Sequence, residues 1–275
     1  MPPARRTGES RSLALLPPDW EPTRLALHRF SRVISAVPRA YAVADPRWWH
    51  LSLEVRPEGL TTRPVPLPGG GDLRVVLDVI QAEVRVESSP GGTVAISLSS
   101  GPTASTVARE VFAVVAELGL RGPHDASRYA DENPTSLDPG HATTFWGLLR
   151  EVDAVLRRRR KMLPGDPGPV QLWPHGFDIA FEWFGSRRVA GEDGEHRAQL
   201  NLGWSPTGDA YFYSNPWPLD DRLIGSPLPA GAIWHTDGWT GTMLPQREVA
   251  GNADAVERVL DYAAAVFDLA RPTLD

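Results

Sequence analysis

Apolar and polar positions change their spacing along residues 19–120, and each change predicts a new element. Apolar residues recur every three or four positions over residues 22–37, which predicts a helix that ends at Pro38. From Leu51 the apolar positions alternate with polar ones in short segments separated by glycine and proline. That pattern is typical of half-buried antiparallel strands joined by turns. Helical spacing returns over residues 104–118.

The same order of spacings restarts after residues 121–142, a polar stretch rich in turn-forming residues that we interpret as a linker. An amphipathic helix follows, with Thr143 or Thr144 as its N-cap. Segments of strand type then extend from residue 171 to residue 244, and a last helix follows Asn252. The pattern therefore predicts two regions with the same order of elements.

Each region opens its first strand with a similar motif, Trp48-Trp49-His50 in one and Trp173-Pro174-His175 in the other. We therefore predict an α+β protein of two similar α-β-β-β-β-α halves, residues 19–120 and 143–275, with mostly antiparallel sheets. The halves are expected to pack in a pseudo-two-fold arrangement. They would either share one sheet or enclose a cavity where they meet.

The segment WWHLSLEVRPEGLTT, residues 48–62, resembles the signature of a family of bacterial proteins known only as a domain of unknown function. Weaker matches follow in the same order along nearly the whole chain from about residue 20. The resemblance implies no reaction, because none is assigned to that family.

The chain departs from the pattern of that family at several polar positions, so the resemblance implies a divergent member. Ser35-Ala36 stands where relatives carry Gly-Lys in the first helix, and Gln81 stands where they often have a histidine. Ala198-Gln199 stands in place of a His-Glu pair. Four polar residues of the pattern remain: His50, Asp78, His141 and Asp178.

Four ionisable side chains are candidates for acid–base catalysis: His50, Asp78, Asp178 and Glu182. On a straight strand His50 shares a polar face with Ser52 and Glu54, which suits a general base near neutral pH. The alternative is a structural histidine that packs on Trp48 and forms a hydrogen bond with the backbone.

The three carboxylates also have two interpretations each. Asp78 has apolar neighbours on its strand, so it is either a functional acid or the partner of an arginine such as Arg32. Asp178 and Glu182 share one face of their strand about 7 Å apart, a spacing that suits an acid and a base. The alternative for this pair is an ordinary half-buried strand.

The composition makes tryptophan the most frequent aromatic residue, with ten Trp against eight Phe and five Tyr. Indole is large and keeps a polar N–H, so it suits the wall of a ligand pocket. We predict that one pocket between the halves is lined by His175 and four indoles, with His50 and Asp178 as polar groups. The four are Trp48, Trp49, Trp173 and Trp204. The alternative is that these rings only seal two cores or an interface.

A metal site is a further alternative, with three histidines and one aspartate as ligands, although no local motif supports it. Those residues are His50, His141, His175 and Asp178. The glycines at 69–71 are not followed by a helical pattern, so no phosphate-binding loop indicates a nucleotide cofactor. We therefore predict no cofactor and no resident metal.

The net charge of −6 argues against nucleic acid or an anionic membrane as a partner. The absence of cysteine fits a reducing cytoplasm. Residues 1–18 are predicted to be a disordered leader, because their apolar run is too short for a signal sequence and ends at Pro17.

The predicted function is binding of a small, partly aromatic molecule, either without catalysis or as a cofactor-independent acid–base enzyme. The alternatives are a non-catalytic interaction protein that forms a homodimer, and a metal-dependent enzyme.

Overall fold

The computed structural model describes residues 13–89, 91–191 and 194–275, and within these ranges it has four α-helices and one thirteen-stranded sheet. The helices are α1 (Glu21–Tyr41), α2 (Ala104–Glu117), α3 (Pro139–Lys161) and α4 (Ala255–Leu274). The strands of the first half are β1 (Leu53–Arg56), β2 (Gly59–Thr62), β3 (Val65–Pro66), β4 (Asp72–Asp78), β5 (Glu83–Ser88) and β6 (Gly92–Ser97). The strands of the second half are β7 (Gln171–Trp173), β8 (Asp178–Gly191), β9 (Gly194–Ser205), β10 (Tyr211–Ser214), β11 (Pro216–Trp217), β12 (Ile233–His235) and β13 (Gly241–Pro245). No helix in the described ranges is long and apolar enough to cross a bilayer.

The sheet is continuous across both halves, and its strand order is β12-β13-β10-β9-β8-β7-β1-β2-β4-β5-β6. Neighbouring strands are antiparallel, and the halves join where Leu53 of β1 pairs with Leu172 of β7. The α+β class with a mostly antiparallel sheet is therefore confirmed, and the halves share one sheet. The described strands number six and seven in the two halves rather than the predicted four each, and the duplication itself stays a prediction.

One face of the sheet is covered by helices, and the core lies there. Trp183 of β8 meets the Phe267 ring of α4 edge-on at 4.9 Å, and Trp204 of β9 lies 6.5 Å from the Phe145 ring of α3. Because side chains alternate along a strand, Asp178 and Glu182 point to the opposite face of β8. The polar residues of β8 and β9 are therefore separated from the core by the sheet itself.

Two helix boundaries differ from those predicted. Helix α1 continues past Pro38 to Tyr41, and the Ala42 N–H closes its last turn on the Pro38 carbonyl. Helix α3 begins at Pro139, because the Asp138 side chain accepts the His141 N–H and acts as the N-cap instead of Thr143 or Thr144. The predicted linker is therefore shorter, and it includes a 3-10 helix at Ala126–Tyr129 whose tyrosine is buried.

The predicted leader is only partly within the described chain, since residues 1–12 lie outside it. Within residues 13–18, Leu13 is buried and its carbonyl accepts the Gly251 N–H, whereas Leu15 is exposed. The Gln246 side chain donates to the Ala14 carbonyl. The first residues of this stretch are therefore held by contacts, because the apolar side chain of Leu13 belongs to the core.

Candidate functional site

The segment before β1 does not continue the strand, and this changes the role of His50. Trp49–Leu51 forms a 3-10 helix, and β1 begins only at Leu53. His50 therefore does not share a strand face with Ser52 and Glu54, and that prediction is wrong. Its Nδ1 accepts the Asp45 N–H at 3.1 Å, its ring stacks on Trp48 at 6.1 Å, and it is buried. Burial lowers the pKa of His50, so this histidine has the contacts of the structural alternative.

Asp78 lies at the end of β4 and is an ion-pair residue. Its Oδ2 is 2.6 Å from Arg85 Nη1, and its Oδ1 accepts the N–H groups of Ile80 and Gln81. The arginine partner is therefore Arg85 and not the suggested Arg32. Strand β4 is four positions from β8 in the sheet, or about 19 Å. The structure thus separates Asp78 from the other candidates.

Asp178 and Glu182 do lie together on the helix-free face of β8, as predicted. The Tyr213 hydroxyl donates to Asp178. Burial raises the pKa of Asp178, and the Tyr213 hydrogen bond and the nearby His175 offset only part of that rise. Burial also raises the pKa of Glu182 to about 7. Both carboxyls are therefore held toward their protonated forms.

Glu182 lies under a cover made by two loops. The Gly168 N–H donates to the Glu182 carbonyl at 2.7 Å, and a Cβ at Gly168 would lie 2.7 Å from Glu182 Oε2. The Arg47 guanidinium packs on the rings of Trp49 and Phe184 at 4.8 and 4.5 Å. Within the described part of the chain, Glu182 Oε2 is buried without a hydrogen-bond partner. Burial is the main cause of the raised pKa of Glu182, and Trp49 and Arg47 offset only part of the rise.

The four candidate indoles do not line one cavity. Trp204 is fully buried in the core, where its N–H donates to the Gln246 side chain at 2.8 Å, so its assignment to a pocket is wrong. Trp49 is half-buried beside Glu182. Trp48 and Trp173 do meet at one cavity, and His175 joins them there.

That cavity, here called the arginine pocket, lies between the two halves and has a volume of about 530 Å³. Helix α1 and residues 47–51 form one side, and residues 173–175 of the second half form the other. Its charged and aromatic lining residues are Arg32, Arg39, Arg47, Arg128, Trp48, Trp173 and His175. The predicted pocket between the halves therefore exists in a different form, rich in arginine rather than in indole.

Positive charge is concentrated in this pocket although the whole chain carries −6. Neither Arg32 nor Arg39 forms an ion pair with another described residue. Burial and repulsion by Arg128 lower the pKa of Arg39. Of the described residues that line the pocket, none is a carboxylate. The arrangement suits an anion, because guanidinium groups bind carboxylate and phosphate through paired hydrogen bonds.

The sequence pattern did not single out these arginines, although a signal was present. Arg32, Ser35 and Arg39 are spaced i, i+3 and i+7, so they share one face of α1. Ser35 lies in the pocket lining between them, and its hydroxyl donates to the Leu51 carbonyl at 2.7 Å. A polar stripe on an otherwise buried helix was the observation that could have identified this site.

A second, smaller cavity, here called the Asp178 pocket, has a volume of about 350 Å³ and lies on the side of the sheet to which Asp178 points, opposite α3 and α4. Its lining includes Asp178, Asn201, Tyr211, Tyr213, Asn215 and Trp239. The turn between β7 and β8, residues 174–177, separates it from the arginine pocket, since His175 lines one cavity and Gly176 the other.

The proposed metal set is not assembled. His141 lies at the start of α3, where its Nε2 is 3.4 Å from Asp19, and His50 is bound to the Asp45 backbone. Across the described ranges no three histidine or carboxylate side chains come close enough to hold a metal ion. The structure therefore does not support the alternative of a metal site formed by His50, His141, His175 and Asp178.

Comparison with known proteins supports the resemblance seen in the sequence. No curated protein and no solved structure matches the chain. A family model does match, and it covers residues 14–274, nearly the whole chain. The chain therefore belongs to that family, described as a family of unknown function (DUF5996).

Proposed function

We propose that the protein binds a small anionic molecule with a planar aromatic group in the arginine pocket. One observation carries the proposal: two arginines without an ion-pair partner among the described residues face the same cavity as an exposed tryptophan. The proposed ligand keeps the aromatic group that the sequence predicts and also carries a negative charge.

The arginines support an anion because Arg32 and Arg39 are exposed toward one cavity and have no ion-pair partner among the described residues. Burial and Arg128 lower the pKa of Arg39, and Asp125 offsets part of that effect. A bound carboxylate or phosphate would accept charge-assisted hydrogen bonds from these groups, which are worth about 1.5–3 kcal/mol each.

Trp48 supports the aromatic part of the ligand. Its side chain is 60% exposed, and its backbone has a φ of 61°, a left-handed conformation that non-glycine residues rarely adopt. The Trp48 N–H donates to the Asp45 carbonyl at 2.9 Å, and the buried His50 ring supports one side of the indole. A strained residue that presents a large ring to a cavity is suited to stacking on a ligand ring.

Isothermal titration calorimetry with matched ligands tests the proposal. Phenyl phosphate and benzoate are compared with phenol and benzamide, which keep the ring and lack the charge, and with inorganic phosphate, which lacks the ring. We expect the charged aromatic compounds to bind at least about tenfold more tightly than either control, because both the charge and the ring contribute. Equal binding of the neutral compounds would contradict the proposal.

The matched protein variants are Arg39→Gln and Arg150→Gln, since Arg150 is an exposed arginine of α3 outside the pocket. We expect Arg39→Gln to weaken binding about tenfold and Arg150→Gln to leave it unchanged. If Trp48 instead serves the predicted homodimer, Trp48→Ala will change the mass measured by sedimentation and will not change ligand affinity.

Acid–base catalysis is the second candidate, and Glu182 favours it. Its pKa of about 7 matches a general acid or base at neutral pH, and Arg47, which packs on Trp49 and lowers the pKa of Glu182 by its charge, also lines the arginine pocket. Glu182 with Asp178, rather than His50, would then carry the proton transfer. Incubation of each bound compound with the wild type and with Glu182→Gln tests this, and turnover that survives the substitution argues against the role of Glu182.

A further inference from the structure

We propose that the Asp178 pocket is a second binding site, and that its ligand is a small organic cation of the substituted-ammonium class. This inference stands apart from the arginine pocket, because no lining residue is shared between the two cavities. It rests on an aromatic cluster, on one half-buried carboxylate, and on the absence of lysine and arginine among the described lining residues.

Three aromatic rings form a nearly regular triangle at the pocket. The ring centroids of Tyr211 and Tyr213 are 6.2 Å apart, those of Tyr213 and Trp239 are 6.2 Å apart, and those of Tyr211 and Trp239 are 6.3 Å apart. A cation seated about 3 Å above the plane of these centroids would lie roughly 5 Å from each, within the range of cation–π attraction. Tyr211 and Trp239 are nearly parallel at 17°, and Tyr213 is inclined to them by 62° and 74°. The spacings therefore leave one ammonium group within reach of all three rings.

The fold fixes each ring in place. Tyr211 and Tyr213 alternate on β10 and so share one face of the sheet. Trp239, from the loop before β13, packs on the His235 ring at 4.5 Å. Gly203 of β9 lies under Tyr213, where a Cβ would be 2.6 Å from the ring, so the absence of a side chain lets the tyrosine lie against the strand. The rings are thus already ordered in the free protein, so ligand binding would carry only a small free-energy cost for ordering them.

Asp178 supplies the acidic group, and a bound cation would favour its carboxylate form over the protonated form that burial favours. Its side chain accepts the Tyr213 hydroxyl, and Gly176 leaves room for it, since a Cβ there would lie 2.5 Å from Asp178 Oδ1. Neither lysine nor arginine is found among the described residues that line the pocket. A half-buried carboxylate in such a lining is stabilised by a cation beside it. The site therefore favours a positive ligand over a neutral sugar or an anion.

The experiment compares choline with 3,3-dimethyl-1-butanol, which has the same shape and carbon in place of the charged nitrogen. Calorimetry on the full chain is expected to show choline binding at least tenfold more tightly. Methylammonium and tetramethylammonium complete the series of probes. Equal affinity for the neutral isostere, or no binding of any of the three cations at millimolar concentration, would overturn the proposal.

Protein variants locate the site. Asp178→Asn removes the charge but keeps an acceptor for Tyr213, and we expect it to weaken choline binding at least tenfold. Trp239→Ala removes one of the three rings and should weaken binding several-fold, which keeps the test valid if Asp178→Asn does not fold. Trp217→Ala, at an exposed tryptophan outside both pockets, is the matched control and should leave choline binding unchanged. Choline binding that survives both pocket substitutions, or that is lost with Trp217→Ala, would refute the assignment.

Discussion

The arginine pocket and the Asp178 pocket lie on two sides of one turn, and their linings carry opposite charge. The first draws arginines from α1 and from the segment between the halves, and no carboxylate is found among its described lining residues. The second is built within one half and has a half-buried aspartate without a lysine or arginine in its described lining. The net charge of −6 therefore says little about either site, because the elements that converge at a pocket determine its charge.

The largest expected difference between the two regions is in the pH dependence of stability. The carboxyls of β8 titrate, whereas the arginines of the arginine pocket stay charged. The pKa of Glu182 is raised to about 7, so the folded state binds its proton more tightly than the unfolded state does. Its contribution to stability is present below pH 4.5, its ordinary value, and is lost as pH rises to about 7. That contribution is about 3 kcal/mol. Asp178, beside it on β8, has a shift of the same sign, whereas Trp49 and Arg47 oppose the shift of Glu182.

Urea unfolding at a series of pH values measures this difference. In Glu182→Gln, most of the fall in the free energy of unfolding with rising pH should disappear, because glutamine stays neutral at every pH. Glu110→Gln on the exposed face of α2 is the control and should keep the wild-type slope. An unchanged slope in Glu182→Gln would mean that the buried carboxyl is not protonated in the folded protein.

The second prediction removes the charge from one pocket only. The double variant Arg32→Gln/Arg39→Gln should lose about a hundredfold in affinity for phenyl phosphate, from two charge-assisted hydrogen bonds. Its free energy of unfolding should not fall, because neither side chain forms an ion pair with another described residue. Choline binding should be unchanged. A loss of stability without a loss of affinity would show that these arginines are structural.

The third prediction disturbs the other pocket through the backbone. Gly203→Ala places a Cβ 2.6 Å from the Tyr213 ring, which must move. We expect thermal or urea unfolding to show a loss of about 2 kcal/mol and choline affinity to fall, while phenyl phosphate binding is retained. Gly69→Ala adds the same methyl group in open space and should change neither quantity. A fully tolerated Gly203→Ala would mean that the three rings are not rigidly held.

The smallest expected effect on stability is at Trp48. Glycine adopts the left-handed backbone of position 48 without strain, and the ring that Trp48→Gly removes is exposed. The free energy of unfolding should therefore rise by up to about 0.5 kcal/mol. Affinity for phenyl phosphate should nonetheless fall about tenfold. Ala82→Gly, at a φ of 50° outside both pockets, should show the same small gain with no change in binding. A marked loss of stability in Trp48→Gly would assign this residue to packing.

The sequence allowed some of this to be predicted, and particular residues explain the rest. Alternation along β8 placed Asp178 and Glu182 on one face, because strand periodicity is local. The same reasoning failed for His50, because the backbone at Trp48 is left-handed and a 3-10 helix follows it instead of a strand. Periodicity does not reveal the backbone φ. Trp204 could not be assigned either, because its partner Gln246 is distant in sequence. The arginine pocket could not be predicted, because it forms only where the two halves meet and no single segment of the sequence specifies that contact.

The turn at residues 174–177 separates the two sites and is held at both of its ends. His28 of α1 binds the Pro174 carbonyl at 2.9 Å and stacks on Phe177 at 5.4 Å. His175 lines one cavity and Gly176 the other, so these contacts keep each lining in place when the other cavity is filled. The affinity for choline is therefore expected to be the same with and without saturating phenyl phosphate.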